Sequence, residues 1–146
     1  MRAILFRAKV IHNHFEKPDG TYRLPQGSWV YGCLIKDCNE RPMIDIQGYV
    51  DGSGVHYQYY VDPETVGQFT GLHDKNGNEI YEGDIAIVRV SDERFKANPR
   101  FDKSAVYYNN DRGRFEVKRF DCFRSKRLEI IGNVHDNPEL LKGGGK

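Results

Sequence analysis

Long apolar runs are missing from this 146-residue sequence. No window approaches the roughly 20 apolar residues that a membrane-spanning helix needs. At the start, Arg2, Arg7 and Lys9 interrupt any apolar core that a secretory leader would carry. Cysteine is scarce too. Cys33, Cys38 and Cys122 form an odd set without the two close pairs of a structural zinc site, and the gap between the first two is wider than that of a redox dithiol. The expectation is a reduced, cytosolic chain with free thiols, one of Cys33 and Cys38 buried and the other exposed. Tryptophan occurs once, as Trp29 in SWVYGCLI, where it reads as a core anchor. A formal net charge of +1 excludes a strong overall pull toward either polyanions or polycations.

What the chain does have is glycine, tyrosine and phenylalanine: 15, 9 and 8 residues respectively, a mixture that suits strands and turns better than helices. Its length is enough for one domain with a real core. Charge is unevenly placed. Residues 36–84 hold ten acids against three bases, whereas residues 112–127 hold seven bases against two acids. Halves of opposite sign attract within a monomer, across a self-association interface, or, for the basic part, toward a polyanion.

Residues 62–90, DPETVGQFTGLHDKNGNEIYEGDIAIVRV, dictate local structure most closely. Asp62 caps a short helical turn that Pro63 begins without losing a needed N–H. Residues 68–72 form a strand, and Asn76-Gly77 signals a hairpin because both residues tolerate positive φ. Glu82-Gly83-Asp84 is a second tight turn. Residues 85–90 are a β-branched run buried on both faces. Elsewhere, strands are expected over residues 3–11, 28–35, 43–49, 55–61, 104–109, 113–120 and 128–134. Loops are expected over residues 13–26 and 91–103, and a second helical turn at Pro138, capped by Asn137. Residues 143–146 read as a disordered tail.

These residues carry a resemblance. DPETVGQFTGLHDKNGNEIYEGDI, at 62–85, resembles the signature of the YopX protein family, found mainly in phages and integrated prophages. FRAKV with SWVYGCLI resembles that family's opening strand pair, and LEIIGNVHDNPELL its closing segment. Ala8 stands where many relatives have glycine, the 13–26 loop is longer than usual, and residues 92–110 lack family character. The resemblance implies mainly β structure with a small barrel-like C-terminal part and a bacterial cytoplasmic location. It implies no established activity, so no catalytic or binding residue is carried over.

Candidate sites are few. His12 and His14 flank Asn13 on one side of a strand, as a metal pair does, but no third ligand is near in sequence. They read as surface histidines, as do His56, His73 and His135. Basic neighbours of Cys122 favour its thiolate, but no base accompanies it. Asp74, Glu79, Glu82 and Asp84 lack the calcium-loop arrangement and read as turn chemistry. Gly67, Gly71, Gly77 and Gly83 lack a phosphate-loop context. One segment, RGRFEVKRFDCFRSKR at 112–127, carries a binding hypothesis. Arg112, Arg114, Lys118, Arg119, Arg124, Lys126 and Arg127 interleave with Phe115, Phe120 and Phe123, the composition of a single-strand binder or of a surface for an acidic partner. The plainer reading puts Phe115 and Val117 in the core, with Arg114, Glu116 and Lys118 facing water.

The sequence therefore predicts a mainly β fold of short antiparallel strands in a barrel-like or sandwich packing, with one or two helical turns. An SH3-like small barrel is suspected in the C-terminal part. Residues 1–142 read as a single domain, divided into N-terminal strands at 1–61 and the signature block with the barrel-like part at 62–142. Trp29, Phe69, Leu72, Ile85, Ile87, Val88, Ile130 and Ile131 are the expected core. The function read from this is a non-enzymatic interaction or assembly protein, homo-oligomerisation included, with a nucleic-acid-binding module as the less favoured alternative. No cofactor, metal or membrane contact is called for, and no other partner is specified.

Overall fold

The computed structural model describes residues 4–13, 23–50, 53–90, 100–117, 120–121 and 126–142. They form β1 (Phe6–Asn13), β2 (Trp29–Lys36), β3 (Pro42–Val50), β4 (Ser53–Val61), β5 (Gly67–His73), β6 (Glu79–Tyr81), β7 (Asp84–Val90), β8 (Arg100–Asn109), β9 (Arg114–Val117), β10 (Phe120–Asp121) and β11 (Leu128–Asn133), with 3-10 turns at Pro63–Thr65 and Pro138–Leu141. The mainly β expectation holds, and no helix among the described residues is long and apolar enough to cross a membrane. Two compact units result, Met1–Gln68 and Phe69–Lys146. The disordered tail expected at residues 143–146 lies outside the described residues.

In the first unit four antiparallel strands close on themselves. β1 pairs with β2 through Phe6–Lys9, β2 with β3, β3 with β4, and β4 returns to the second half of β1, where Val10 lies opposite Val61. A register shift between Val10 and His12 bends β1 from one partner to the other, which is how a bulge turns a barrel corner. Alternate residues point inward, so Ala8, Val10, Val30, Ile44, Tyr59 and Val61 form the buried centre. Trp29 is not among them. It is half-buried, with the Arg7 guanidinium 4.9 Å and the Lys9 ammonium 5.5 Å from its ring centre. The lone indole lies against two cations instead of anchoring the core. Cys33, like Cys38, is exposed, so the expected buried thiol is not found among the described residues. Gly32 lets β2 and β3 approach: a Cβ there would collide with the backbone carbonyl oxygen of Asp45.

The corner after β4 follows its sequence closely. Asp62 Oδ1 accepts from the Glu64 N–H at 3.0 Å, and Pro63 opens the turn. Thr65 Oγ1 donates to the Asp62 carbonyl at 2.7 Å and accepts the Lys9 N–H at 2.8 Å, tying the corner to β1.

The second unit holds the rest of β5, the β5–β6 hairpin and a five-stranded antiparallel sheet in the order β10-β9-β8-β7-β11. Its centre is Ile80, Ala86, Val88, Val106, Val117 and Leu128, with Leu72, Phe115 and Ile130 packed against it. β7 is buried on both faces at Ile85 and Ala86, as the β-branched run predicts, although Ile87 is only half-buried. Phe69 and Val88 are buried, while Leu72, Ile130 and Ile131 are half-buried. The hairpin turn differs in detail from the expectation. Gly77 alone takes positive φ (+86°), and Asn76 does not. The Gly77 N–H bonds the Asp74 carbonyl at 3.1 Å while the Asp74 N–H bonds the Asn78 carbonyl at 2.8 Å, the pattern of a turn followed by a glycine bulge.

Asp74 is the centre of that turn. Its Oδ1 accepts the Asn76 and Asn78 N–H groups at 2.9 Å each, and its Oδ2 accepts the Asn78 side-chain amide at 3.2 Å and the Ile130 N–H of β11 at 3.0 Å. The Lys75 N–H adds a bond to the Leu128 carbonyl at 3.0 Å. Asp84 does similar work at the next turn, accepting the Tyr81 N–H at 2.7 Å. After β11, Asn133 Oδ1 accepts the His135 and Asp136 N–H groups at 3.0 and 2.9 Å. The Asn137 side chain turns back to the Asn133 N–H at 3.3 Å instead of capping the Pro138–Leu141 turn, which corrects the capping expectation.

Two substitutions test this packing. Asp74→Ala removes a buried carboxylate and with it the acceptor of three backbone N–H groups, and is expected to lower stability by roughly 2–3 kcal/mol, read as a lower urea midpoint at unchanged slope. Gly32→Ala forces β2 from β3 and is expected to cost about 1–3 kcal/mol in the same measurement, although alanine ordinarily suits a strand better than glycine.

Candidate functional site

The basic-aromatic segment enters the structure as β9. β8 and β9 pair antiparallel, with Val106 opposite Val117, Tyr107 opposite Glu116, Tyr108 opposite Phe115 and Asn109 opposite Arg114. Period-two alternation puts Val106, Tyr108, Phe115 and Val117 on the core side, where the Tyr108 and Phe115 rings meet edge to face at 5.1 Å. Tyr107, Asn109, Arg114 and Glu116 take the other side. This much follows the plainer sequence reading.

Glu116 departs from it. It does not face water but is 1% exposed, because four side chains roof it. Its Oε1 accepts Arg114 Nε at 2.8 Å and Arg112 Nη1 at 3.1 Å, and its Oε2 accepts Asn109 Nδ2 at 2.9 Å and the Tyr107 hydroxyl at 3.2 Å. The Asn109 amide works first, against burial and with the two guanidiniums and the Tyr107 hydroxyl, to draw the carboxyl down to about 2. Arg112 reaches it from the turn, where its own N–H bonds Asn109 Oδ1 at 3.2 Å. The cations remain accessible: the Arg112 and Arg114 side chains are 55% and 34% exposed. A charge pair at alternate positions of one strand, Arg114 and Glu116, was the available signal. Burial by cross-strand Tyr107 and Asn109 is non-local and left no mark in the segment itself.

Of the seven basic candidates, the fold gathers Arg112 and Arg114. Lys126 and Arg127 are exposed just before β11, and Lys118, Arg119 and Arg124 lie outside the described residues, as do Cys122 and His14. On the same side of β8 as Tyr107 lie Lys103, also exposed, and Phe101, which is 58% exposed.

Other polar groups are engaged structurally. At the β2–β3 turn the Asp37 carboxylate accepts the Asn39 and Arg41 N–H groups at 2.9 Å each, Arg41 Nε at 2.8 Å and the Tyr60 hydroxyl at 3.1 Å. Burial opposes its ionisation, but these donors outweigh it and hold the carboxyl at about 2. The Tyr60 ring has the His12 ring 4.4 Å away and the Arg41 guanidinium 4.6 Å away. His56, expected to be isolated, bonds Asp45 at 3.0 Å. His73 meets Phe69 edge-on. Asp74 and Asp84 aim their oxygens at backbone N–H groups, the turn chemistry read from the sequence. Among the described residues no three His, Cys, Asp or Glu side chains gather as metal ligands.

A folded-state pKa below the ordinary value gives stability that is complete above the unfolded pKa and is lost as pH falls through the folded one. Glu116 and Asp37 therefore contribute fully above about 4.5 and lose their contribution toward about 2. Glu116→Gln is expected to lower stability at neutral pH and to flatten the acid limb between those values, measured as urea midpoint against pH.

Comparison with known proteins adds three findings. Residues 27–142 match a family model described as YopX protein. None of the curated proteins matches the sequence. The fold is similar to the crystal structure of protein EF1440 from Enterococcus faecalis, with a TM-score of 0.56 and 22% identity over 97% of this chain and 100% of that one.

Proposed function

The chain belongs to the YopX protein family, a premise from which we propose that it acts by binding rather than catalysis, as a phage or prophage accessory protein working in the bacterial cytoplasm. The observation that carries this reading is the state of its ionisable groups. A general acid or base works best with a pKa near the working pH. The carboxylates of Asp37, Asp74 and Glu116 are instead surrounded by donors and pushed away from that range, all three downward. They are fasteners. The exposed aromatics Phe101 and Tyr107 on β8 supply the complementary half of the reading, since aromatic side chains with arginine are what binding surfaces are enriched in.

The binding surface is thus the β8–β9 hairpin. Its partner is a second copy of the chain, using the acidic residues 36–84, or a polyanion attracted by residues 100–127, which hold nine bases against four acids. Light scattering on the purified protein at low and physiological salt, with and without single-stranded DNA, is expected to give a mass above one chain in at least one condition. A monomer of unchanged mass in all four conditions counts against the proposal.

A further inference from the structure

We propose that Arg112, Arg114 and Tyr107 form a contact site for the sugar–phosphate backbone and bases of single-stranded nucleic acid, with Glu116 as the positioning residue that holds the two guanidiniums. The inference rests on the reading of the β8–β9 hairpin as the binding surface, and it names the partner.

The geometry is unusual for a pair of surface arginines. Two cations are brought to one carboxylate oxygen, at 2.8 and 3.1 Å, and that carboxylate is itself locked beneath them by Asn109 and Tyr107. A guanidinium is a planar fork of five donors, and Glu116 takes one of those N–H groups from Arg112. The long side chains surrender their rotamer freedom before any ligand arrives, so less is lost on binding. Beside them, Tyr107 is 39% exposed, and Phe101 and Lys103 continue the same side of β8. Planar rings between cations suit a chain whose anions alternate with flat bases. An acidic peptide would satisfy the guanidiniums but leave the ring faces without planar partners, so the nucleic acid is favoured.

Fluorescence anisotropy of a labelled short oligothymidylate tests this. Wild type is expected to bind at about 50 mM salt and to weaken steeply toward about 200 mM. Glu116→Gln is decisive, because it raises the net charge by one unit. A diffuse basic surface would then bind more tightly, whereas loss of positioning weakens binding by roughly tenfold. Three variants at two exposed positions guard against misfolding. Arg112→Lys keeps the charge and is expected to weaken binding several-fold with an unchanged salt slope, while Arg112→Ala lowers that slope by about 0.7. Phe101→Ser is expected to weaken binding by roughly fivefold or more. The inference is overturned if folded Glu116→Gln binds as well as wild type or better. Poly-glutamate binding as tightly as the oligonucleotide also overturns it and points to an acidic protein. If the oligonucleotide fails to bind but hairpin substitutions change the self-associated mass, this inference falls and the binding-surface reading stands. If neither occurs, both fall.

Discussion

A carboxylate in a tight β turn is the fastening on which the C-terminal unit depends. Asp74 gathers donors from its own turn and one from β11, at Ile130. With the Lys75 N–H bond to Leu128 and the burial of Ile80, that last bond ties β6, only three residues long, into the unit. Burial of the Asp74 carboxylate is offset by hydrogen bonding, which keeps it ionised rather than neutral. Asp62, Asp84 and Asn133 use the same device at other corners, each offering side-chain oxygen to N–H groups that no strand can reach. Short strands need many corners, and each corner exposes backbone that must find acceptors.

This explains what was legible in the sequence and what was not. Turn residues act over two to four positions, so Asp62-Pro63, Asp74 through Asn78 and the β-branched β7 can be read directly. The Asn137 cap failed because Asn133 competes for the same side chain, a contact made only once the closing turn is formed. Trp29 was misplaced for a different reason. Hydrophobicity says that an indole belongs inside, but the Arg7 and Lys9 cations of the neighbouring strand offer its ring a partner outside the core. Glu116 was misplaced because alternation assigns a face and says nothing about what covers it. Ring closure between β1 and β4 depends on residues about fifty positions apart, and nothing local encodes it.

The family signature is accordingly a statement about folding. Between residues 62 and 85, Asp62, Asp74 and Asp84 are committed to corners, and the lowered Asp74 carboxyl is a sign of that commitment. Chemistry that varies with function has to be sought where the signature is thin. β8 lies outside residues 62–85, and it carries the exposed rings and the cross-strand support for Glu116.

Closure of the first unit also orders events during synthesis. The C-terminal half of β1 pairs with β4, and Val10 meets Val61 only after some fifty further residues have been added. At roughly 5–20 residues per second, β1 waits several seconds for its last partner. During that interval its apolar side chains, Ala8 and Val10, have only β2 and β3 to shield them. The nascent chain is thus most exposed to chaperones, and to its neighbours on a polysome, before the fourth strand arrives.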